Sequence, residues 1–533
     1  MTAAETADSA PPQGPAADPQ EAAQGFLGNP RSFGPGVAEV QRIDTHGAIV
    51  FLAGDRAYKI KRAVRYPYMD FSTLEKRRRA LERELSLNVR TAPCLYLRVS
   101  PLTREADGHL ALDGTGTVVE WVLVMKRFSQ GQLFDRLAEA GELSDATMLA
   151  LADAVAVFHD AAPAVDTLSA AKLLRGAEAM EWVVEENNEE ILARPDLFAP
   201  AEAALLAERS RAALERSRGL LDRRSSEGRQ RLCHGDLHLR NVVLLNGRPT
   251  LFDAIEFNDS LACIDVLYDL AFLLMDLEER GFKPFANLVL NRYLQRRGDL
   301  DALALLPLFL SARAAVRAKV AASLEGVEQS PEAKARRRAE AAAYFAQALR
   351  FLKPPAPRLV AVGGLSGTGK TSLARRLAVD LGPSPGAVHL RSDVLRKALA
   401  GVEEHERLPP DAYDQASNDA VYRQLLDRAQ RVLTAGHAVV VDAVFAQPAE
   451  RAAVRALAET CGVAFCGLWL QAQPATMMTR VDQRHGDASD ATAAVVQRQL
   501  SYDIGVVDWQ VVETDGPLDR ITDNARIALG ITA

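Results

Sequence analysis

The spacing of apolar and polar positions changes character several times along this chain. Up to about residue 36 large apolar side chains are scarce among Ala, Pro, Gln, Gly and Asp. Such a stretch buries too little surface to offset its ordering entropy, so it is expected to be a disordered tail. From Val37 the rhythm shortens, and residues 48–52, the Gly54-Asp55 turn and residues 57–61 predict strand, tight turn and strand. Residues 74–88 have the spacing of a charged amphipathic helix, and residues 118–125 that of an apolar strand. Helical spacing then dominates to Leu352, broken by strand-like stretches around Leu232 and at 242–245 and 250–252. The richest apolar run, 261–277, contains Asp265, Asp269 and Asp276. It predicts a buried helix with functional or capping acids rather than a membrane span.

Lys353-Pro354-Pro355-Ala356-Pro357 interrupts the helical pattern. Prolines fix φ and cannot continue a helix, so a stiff linker is expected there, with one domain at 37–352 and another at 358–533. Past it, apolar strands at 359–362, 387–390, 438–441 and 464–470, with a last one near 509–513, alternate with helical stretches. That alternation predicts an α/β layer with a parallel sheet covered on both faces.

Composition narrows the class. With 533 residues, 48% hydrophobic and 25% charged, the chain is expected to fold as a multidomain globular protein. A net charge of −7 argues against a broad nucleic-acid-binding surface. Five scattered cysteines with no CxxC pair argue against a disulfide framework or a structural zinc site and fit a reducing cytoplasm. No basic segment followed by an apolar run opens the chain, and no apolar stretch is long enough to span a bilayer, so no membrane partner is expected.

Gly364-Leu365-Ser366-Gly367-Thr368-Gly369-Lys370-Thr371 satisfies GxxxxGK[ST] directly after an apolar strand and at the start of a helix. Glycines let backbone N–H groups close around a β-phosphate, and the helix N-terminus adds a favourable dipole. Lys370 is placed for the β/γ oxygens of ATP and the Thr371 hydroxyl for Mg²⁺. After the second strand come Asp393, able to take a proton from a substrate hydroxyl, and Arg396, able to stabilise transferring phosphate. Asp393 has a plainer alternative as a helix cap. Asp442 ends an apolar strand and suits a Mg²⁺ contact, while Arg480, Arg484 and the stretch 484–490 suit a lid. These elements resemble the polynucleotide-kinase-like and zeta-toxin-like P-loop kinases over residues 358 to about 530. The resemblance implies a five-stranded parallel sheet, Asp393 as general base and Arg480 and Arg484 as lid arginines.

A second motif is unrelated. Cys233-His234-Gly235-Asp236-Leu237-His238-Leu239-Arg240-Asn241 places Asp236 five residues before Asn241, and Asp253 follows twelve residues later. Phosphoryl transfer calls for one carboxylate to orient and deprotonate a hydroxyl, and for an amide and a second carboxylate to hold Mg²⁺. The pattern resembles the aminoglycoside phosphotransferase and choline kinase group, whose fold is related to protein kinases. The resemblance implies Asp236 as the catalytic Asp, Asn241 and Asp253 as metal ligands and His234 as the brace of the loop. It also implies Lys59 as the third-strand lysine that meets phosphate, with Lys61 on the same face as a competitor. Glu84 is the expected partner of that lysine, with Glu82 as fallback, and Val124-Met125-Lys126-Arg127 is the expected adenine-edge hinge, with Met125 among the ATP-binding residues. No GxGxxG precedes Lys59, only Asp44-Thr45-His46-Gly47. The whole arrangement resembles a bacterial group of bifunctional aminoglycoside phosphotransferase/ATP-binding proteins.

Acceptors are less legible. Glu185, Glu186, Glu189 and Glu190 suit either a cation pocket or a solvated helix. Arg313, Arg317 and Lys319 suit either an anionic substrate or a solvated face. The leading expectation is two ATP- and Mg²⁺-dependent kinase modules acting on small-molecule hydroxyls. The alternatives are one kinase with the P-loop domain as a nucleotide-dependent switch, or a polynucleotide 5′-hydroxyl kinase. Nothing in the pattern speaks to oligomeric state.

Overall fold

The computed structural model describes residues 20–66, 69–168, 173–326, 328–483 and 488–531. They fall into two compact units, one drawn from Met1–Arg136, Asn241–Asn246 and Thr250–Ala262, the other from Leu137–Arg240, Gly247–Pro249 and Cys263–Ala533.

In the first unit the alternating segments pair as expected. Strands β1 (Val40–Asp44), β2 (Ala48–Ala53), β3 (Arg56–Lys61), β4 (Tyr96–Arg104), β5 (Leu110–Leu112) and β6 (Thr117–Lys126) form one antiparallel sheet in the order β1-β2-β3-β6-β4-β5. Helix α1 (Glu21–Gly28) precedes the sheet, and α2 (Leu74–Asn88) starts where the Thr73 hydroxyl accepts from the Lys76 N–H. Helix α1 corrects the expectation of disorder up to residue 36, while residues 1–19 lie outside the described residues. Its Leu27 is fully buried with Ile49, Phe51, Ile60 and Val122. The Gln20 amide reaches the Lys61 carbonyl at 2.8 Å and Glu120 at 2.6 Å. A few well-placed contacts supply what the composition lacks.

The second unit opens with helices α3 (Asp145–Ala161), α4 (Gly176–Leu192) and α5 (Pro200–Ser226). A short antiparallel ribbon pairs Gln230–Leu232 with Cys263–Asp265. Helices α6 (Val266–Glu279), α7 (Lys283–Arg297), α8 (Leu306–Glu325) and α9 (Pro331–Phe351) follow. The apolar run with three acids is α6, which Asp265 caps by accepting from the Leu267 N–H at 2.8 Å. Residues 354–357 carry no regular element.

Then comes a five-stranded, all-parallel sheet. Its strands are β7 (Arg358–Gly364), β8 (Val388–Arg391), β9 (Val439–Asp442), β10 (Ala464–Gln471) and β11 (Gln510–Glu513), in the order β8-β9-β7-β10-β11. The P-loop strand β7 is therefore central, buried along almost its whole length. Helices α10 (Lys370–Asp380), α11 (Ser392–Leu399), α12 (Gln415–Thr434) and α13 (Pro474–Asp482) carry the residues discussed below. Strand β8 is an edge, and α7 covers it: Asn287 Nδ2 donates to the Ala387 carbonyl at 3.0 Å, and Asn291 Oδ1 accepts from the His389 N–H at 2.7 Å. Side-chain amides thus satisfy backbone groups that an edge strand would leave open. Among the described residues no helix is long and apolar enough to cross a membrane.

Candidate functional sites

In the first unit, two lysines alternate with their neighbours along β3, so both point to one face. Lys59 Nζ lies 2.7 Å from Glu84 Oε1 and 2.7 Å from Asp253 Oδ1. Lys61 Nζ lies 2.6 Å from Glu84 Oε2 and 2.6 Å from Glu256 Oε1. Glu84 is thus the partner of both lysines, while Glu82 pairs with Arg78. Of the two, Lys59 is the one tied to Asp253, and Lys61 is closed off by Glu256 and the Phe71 ring. Burial works against the Lys59 ammonium, but Asp253 and Glu84 outweigh it and hold its pKa well above the ordinary value. Burial pushes the Glu256 carboxyl up despite Lys61.

Asp253 is positioned with care. Its φ of 62° is unusual for a side chain with a Cβ, and its N–H donates to the Tyr96 hydroxyl at 3.0 Å. The next N–H, of Ala254, donates to Asn88 Oδ1 at 2.9 Å, and Asn88 Nδ2 donates to the Glu84 carbonyl at 2.9 Å. Asn88 therefore couples the helix bearing Glu84 to the loop bearing Asp253, a role with no sequence signal. The Asn241 carbonyl accepts from the Phe252 N–H at 3.0 Å. Met125 is buried beside Ala57, Leu123 and Val243. The N–H groups of Lys126 and Arg127 are taken by the Leu95 and Asp55 carbonyls, so the hinge segment has no open donor at either position.

In the second unit the Asp236 loop is held from below. Asp269, fully buried on α6, accepts from the His234 N–H at 3.1 Å and the Gly235 N–H at 2.9 Å. His159 Nε2 lies 3.0 Å from the same carboxylate, and its Nδ1 lies 2.8 Å from the Tyr293 hydroxyl. Asp276 accepts from the Leu239 N–H at 3.0 Å. Gly235 needs its φ of 82°, and its carbonyl accepts from Arg313, whose guanidinium stacks 3.8 Å from the Tyr268 ring centroid. Arg313 is thus a buried brace of this loop, neither of the two roles expected for it. Lys319 pairs with Glu186 and Glu190, and Arg211 with Glu185. His234 Nδ1 accepts from the Asp236 N–H at 3.3 Å. The Asp236 side chain stays 36% exposed, with His238 Nε2 3.3 Å away. Burial opposes ionisation, but His238, Arg317 and His234 win and hold its carboxyl well below the usual carboxylate range.

The P-loop begins at the end of β7. Gly367 has φ 83°, and a Cβ there would sit 2.4 Å from the Met477 carbonyl oxygen, so only glycine fits this cradle. Lys370 Nζ donates to the Leu365 carbonyl at 3.1 Å, and the Ser366 N–H donates to Gln499 Oε1 at 2.8 Å. Thr371 Oγ1 donates to Asp442 Oδ2 at 2.6 Å, a hydroxyl–carboxylate pair of oxygen donors that fits a hard divalent cation. His389 Nε2 stands 3.4 Å from that carboxylate. Burial raises the Asp442 carboxyl, but His389, Lys370 and Arg391 bring it down to about 2. The reverse holds at Asp393, which burial and Asp442 push above the ordinary value. The residue capping α11 is Arg391, without a side-chain bond, so Asp393 is not the cap.

Arg396 is placed differently from the sequence expectation. Its guanidinium donates to the Ala412 carbonyl at 2.8 Å and to Asn418 Oδ1 at 2.7 Å, over the Tyr413 ring. It braces the 410–418 segment. Arg480 lies against the loop, reaching the Gly367 carbonyl at 3.5 Å and the Thr514 carbonyl at 2.6 Å. Arg484 lies outside the described residues. Asp490, at the far end of the lid stretch, is anchored by Lys397 and by the Tyr413 hydroxyl at 2.6 Å.

Comparison with known proteins matches both halves. The model of the phosphotransferase enzyme family covers residues 74–306, and that of an AAA domain residues 359–502. An uncharacterized protein of Mycobacterium tuberculosis is 34% identical over 494 residues, covering 90% of this chain and 94% of its own. A solved aminoglycoside phosphotransferase-type protein of Ralstonia eutropha aligns with 60% of this chain and 93% of its own, at 13% identity and a TM-score of 0.37. The APS kinase of Mycobacterium tuberculosis, solved with AMPPNP and APS, aligns with 33% of this chain and 99% of its own, at 22% identity and a TM-score of 0.25.

Proposed function

The chain belongs to the family of that mycobacterial protein, and from its phosphotransferase-family region and its P-loop-bearing AAA region we propose that it is a phosphotransferase with two kinase-type domains, each transferring the γ-phosphoryl group of ATP, with Mg²⁺, to a hydroxyl of a small molecule. The observation that carries this reading is the pair Thr371–Asp442 at the head of a glycine cradle, standing in the same chain as the Lys59–Glu84–Asp253 network. Two separate sets of phosphate- and cation-directed side chains support two reactions.

When bound, the nucleotide supplies the phosphoryl group, and the cation offsets charge developing on its oxygens. The protein's share is positioning and proton handling. Lys59, kept charged by Asp253 and Glu84, would contact phosphate in the first module, and Asn241 and Asp253 would hold its cation. Asp236, ionised throughout the neutral range, orients the acceptor hydroxyl and takes its proton. In the P-loop module the backbone of residues 364–371 and Lys370 hold phosphate, Thr371 and Asp442 hold the cation, and Asp393 receives the acceptor proton. A base in this role benefits from a pKa raised toward neutrality. Arg480 lies against the loop and is the lid arginine of this reading. The test is transfer of label from [γ-³²P]ATP into a metabolite extract by full-length protein, compared with Asp236→Asn and Lys370→Ala. Labelled small molecules that disappear with either variant support the reading, and label released only as inorganic phosphate would count against it.

A further inference from the structure

Helix α7 covers the edge strand β8 in a definite register. The Asn291 side-chain amide donates from Nδ2 to the Ala387 carbonyl at 3.3 Å and accepts at Oδ1 from the His389 N–H at 2.7 Å. These two bonds bracket Val388 as the peptide groups of a further parallel strand would. Asn287 adds a bond to the Ala387 carbonyl at 3.0 Å, and its Oδ1 accepts from Asn291 Nδ2 at 3.1 Å. A polar cover that only hid an edge could sit at any register. This one fixes residues 387–389.

What β8 carries gives that register a consequence. Side chains alternate along a strand, so His389 and Arg391 share a face. Arg391 is tied back to α7 through Glu404, which accepts from Arg391 at 3.3 Å, from Arg292 at 2.9 Å and from Gln295 at 3.1 Å. His389 lies opposite Val440 of β9, so Asp442 is its diagonal neighbour on the same face. The imidazole is buried, and Nε2 stands 3.4 Å from Asp442 Oδ2, the oxygen that accepts from Thr371 Oγ1 at 2.6 Å. A carboxylate only accepts, so the ring nitrogen facing it carries a proton. No other group among the described residues bonds Nε2. An enclosed N–H is costly to leave unpaired, and Asp442 is the acceptor at hand. Two donors, Thr371 and His389, then fix the rotation of the carboxylate and leave its other lone pairs for a cation.

We propose that His389 is a positioning residue of the P-loop module: its Nε2–H aims the Asp442 carboxylate, and Asn291 sets the strand register that puts the ring there. Thr371 and Asp442 hold the cation in the function proposed above, and His389 has this role on that reading. Helix α7 lies inside the stretch matched by the phosphotransferase family, so a helix of one domain tunes the metal affinity of the other.

The test uses full-length protein and a fluorescent AMPPNP analogue, titrated in EDTA and at rising Mg²⁺, with the component lost in Lys370→Ala taken as the P-loop site. In the parent, Mg²⁺ should tighten that component. His389→Phe keeps the bulk of the ring and loses its N–H. It should raise the Mg²⁺ concentration for half of the tightening roughly tenfold or more. Its affinity in EDTA should stay that of the parent, which separates a lost carboxylate partner from lost folding. His389→Gln, which can still donate, should return to within a few-fold of the parent. Asn291→Ala should move the Mg²⁺ midpoint in the same direction as His389→Phe, whereas loss of an edge cover alone would lower the melting temperature and leave the midpoint in place. A parent-like midpoint in His389→Phe, or His389→Gln as impaired as His389→Phe, overturns the role of His389 and leaves the proposed function standing. An unmoved midpoint in Asn291→Ala overturns the part assigned to α7. A P-loop component indifferent to Mg²⁺ in the parent overturns the Thr371–Asp442 cation pair, and the role of His389 with it.

Discussion

Glu84 accepts from Lys59 on one carboxylate oxygen at 2.7 Å and faces Lys61 with the other at 2.6 Å. The two lysines are nonetheless unequal, because only Lys59 continues to Asp253. Lys59→Met should therefore abolish transfer by the first module. The double variant Lys61→Met/Glu256→Gln removes a charge pair together and should keep most of it. Removing one partner of a buried pair costs about 3–5 kcal/mol, so Lys61→Met alone should melt well below the double variant. Melting curves and initial rates on the three variants check both statements. Equal rate losses in Lys59→Met and the double variant would contradict the assignment.

The Asp236 loop rests on Asp269, whose two oxygens accept from successive backbone N–H groups. Asp269→Ala leaves those donors and His159 without their acceptor in a fully buried place. A loss on the order of 3 kcal/mol of stability is expected. Asp236→Asn gives up the charge contacts that hold this partly exposed carboxyl low, so it should melt below the parent by less than Asp269→Ala does, and it should lose transfer by roughly 10² or more. Calorimetry alongside rates separates the brace from the base.

Asp393 gives a pH prediction of defined sign. Its pKa is raised in the folded protein, so the fold binds this proton more tightly than the unfolded chain does. Its contribution to stability is fullest at acid pH and is lost as pH rises through the raised value. Asp393→Asn should thus melt higher than the parent at neutral pH, whereas loss of a helix cap would lower stability by about 1 kcal/mol. As a base Asp393 must be ionised, so P-loop transfer should fall on the acid side at a pH above that of an ordinary aspartate. A pH–rate profile with and without the substitution checks this.

Both motifs could be read before any coordinates, because phosphate chemistry fixes residue types at short spacings: 364–371 on one side, 234–241 on the other. Helix α2 was legible to the residue, since Thr73 caps it and its charged face is regular. What escaped reading depends on distant partners. Nothing around Arg396 in sequence announces Asn418 and Tyr413, and nothing around Arg313 announces the Gly235 carbonyl. Residues 21–28 look like tail by composition, and only the contacts of Leu27 and Gln20 make them part of the fold.

The cradle at Gly367 gives a cleaner lesion than any charge change. A methyl group at this position meets the Met477 carbonyl and forces a positive φ on a residue that resists it. Gly367→Ala should cut nucleotide binding by the P-loop domain while leaving Lys59-dependent binding intact. Fluorescent-nucleotide titrations that fall from two sites to one check this.

Two separate phosphoryl-transfer centres in one chain should each leave their own set of products. The most direct measurement is the pattern of labelled small molecules formed from [γ-³²P]ATP by the full-length protein, Asp236→Asn, Lys370→Ala and the double variant. Each single variant should lose its own subset of products and keep the other, and the double variant should lose both. A single substitution that removes every product, or a double variant that keeps them, would rule out two separate centres.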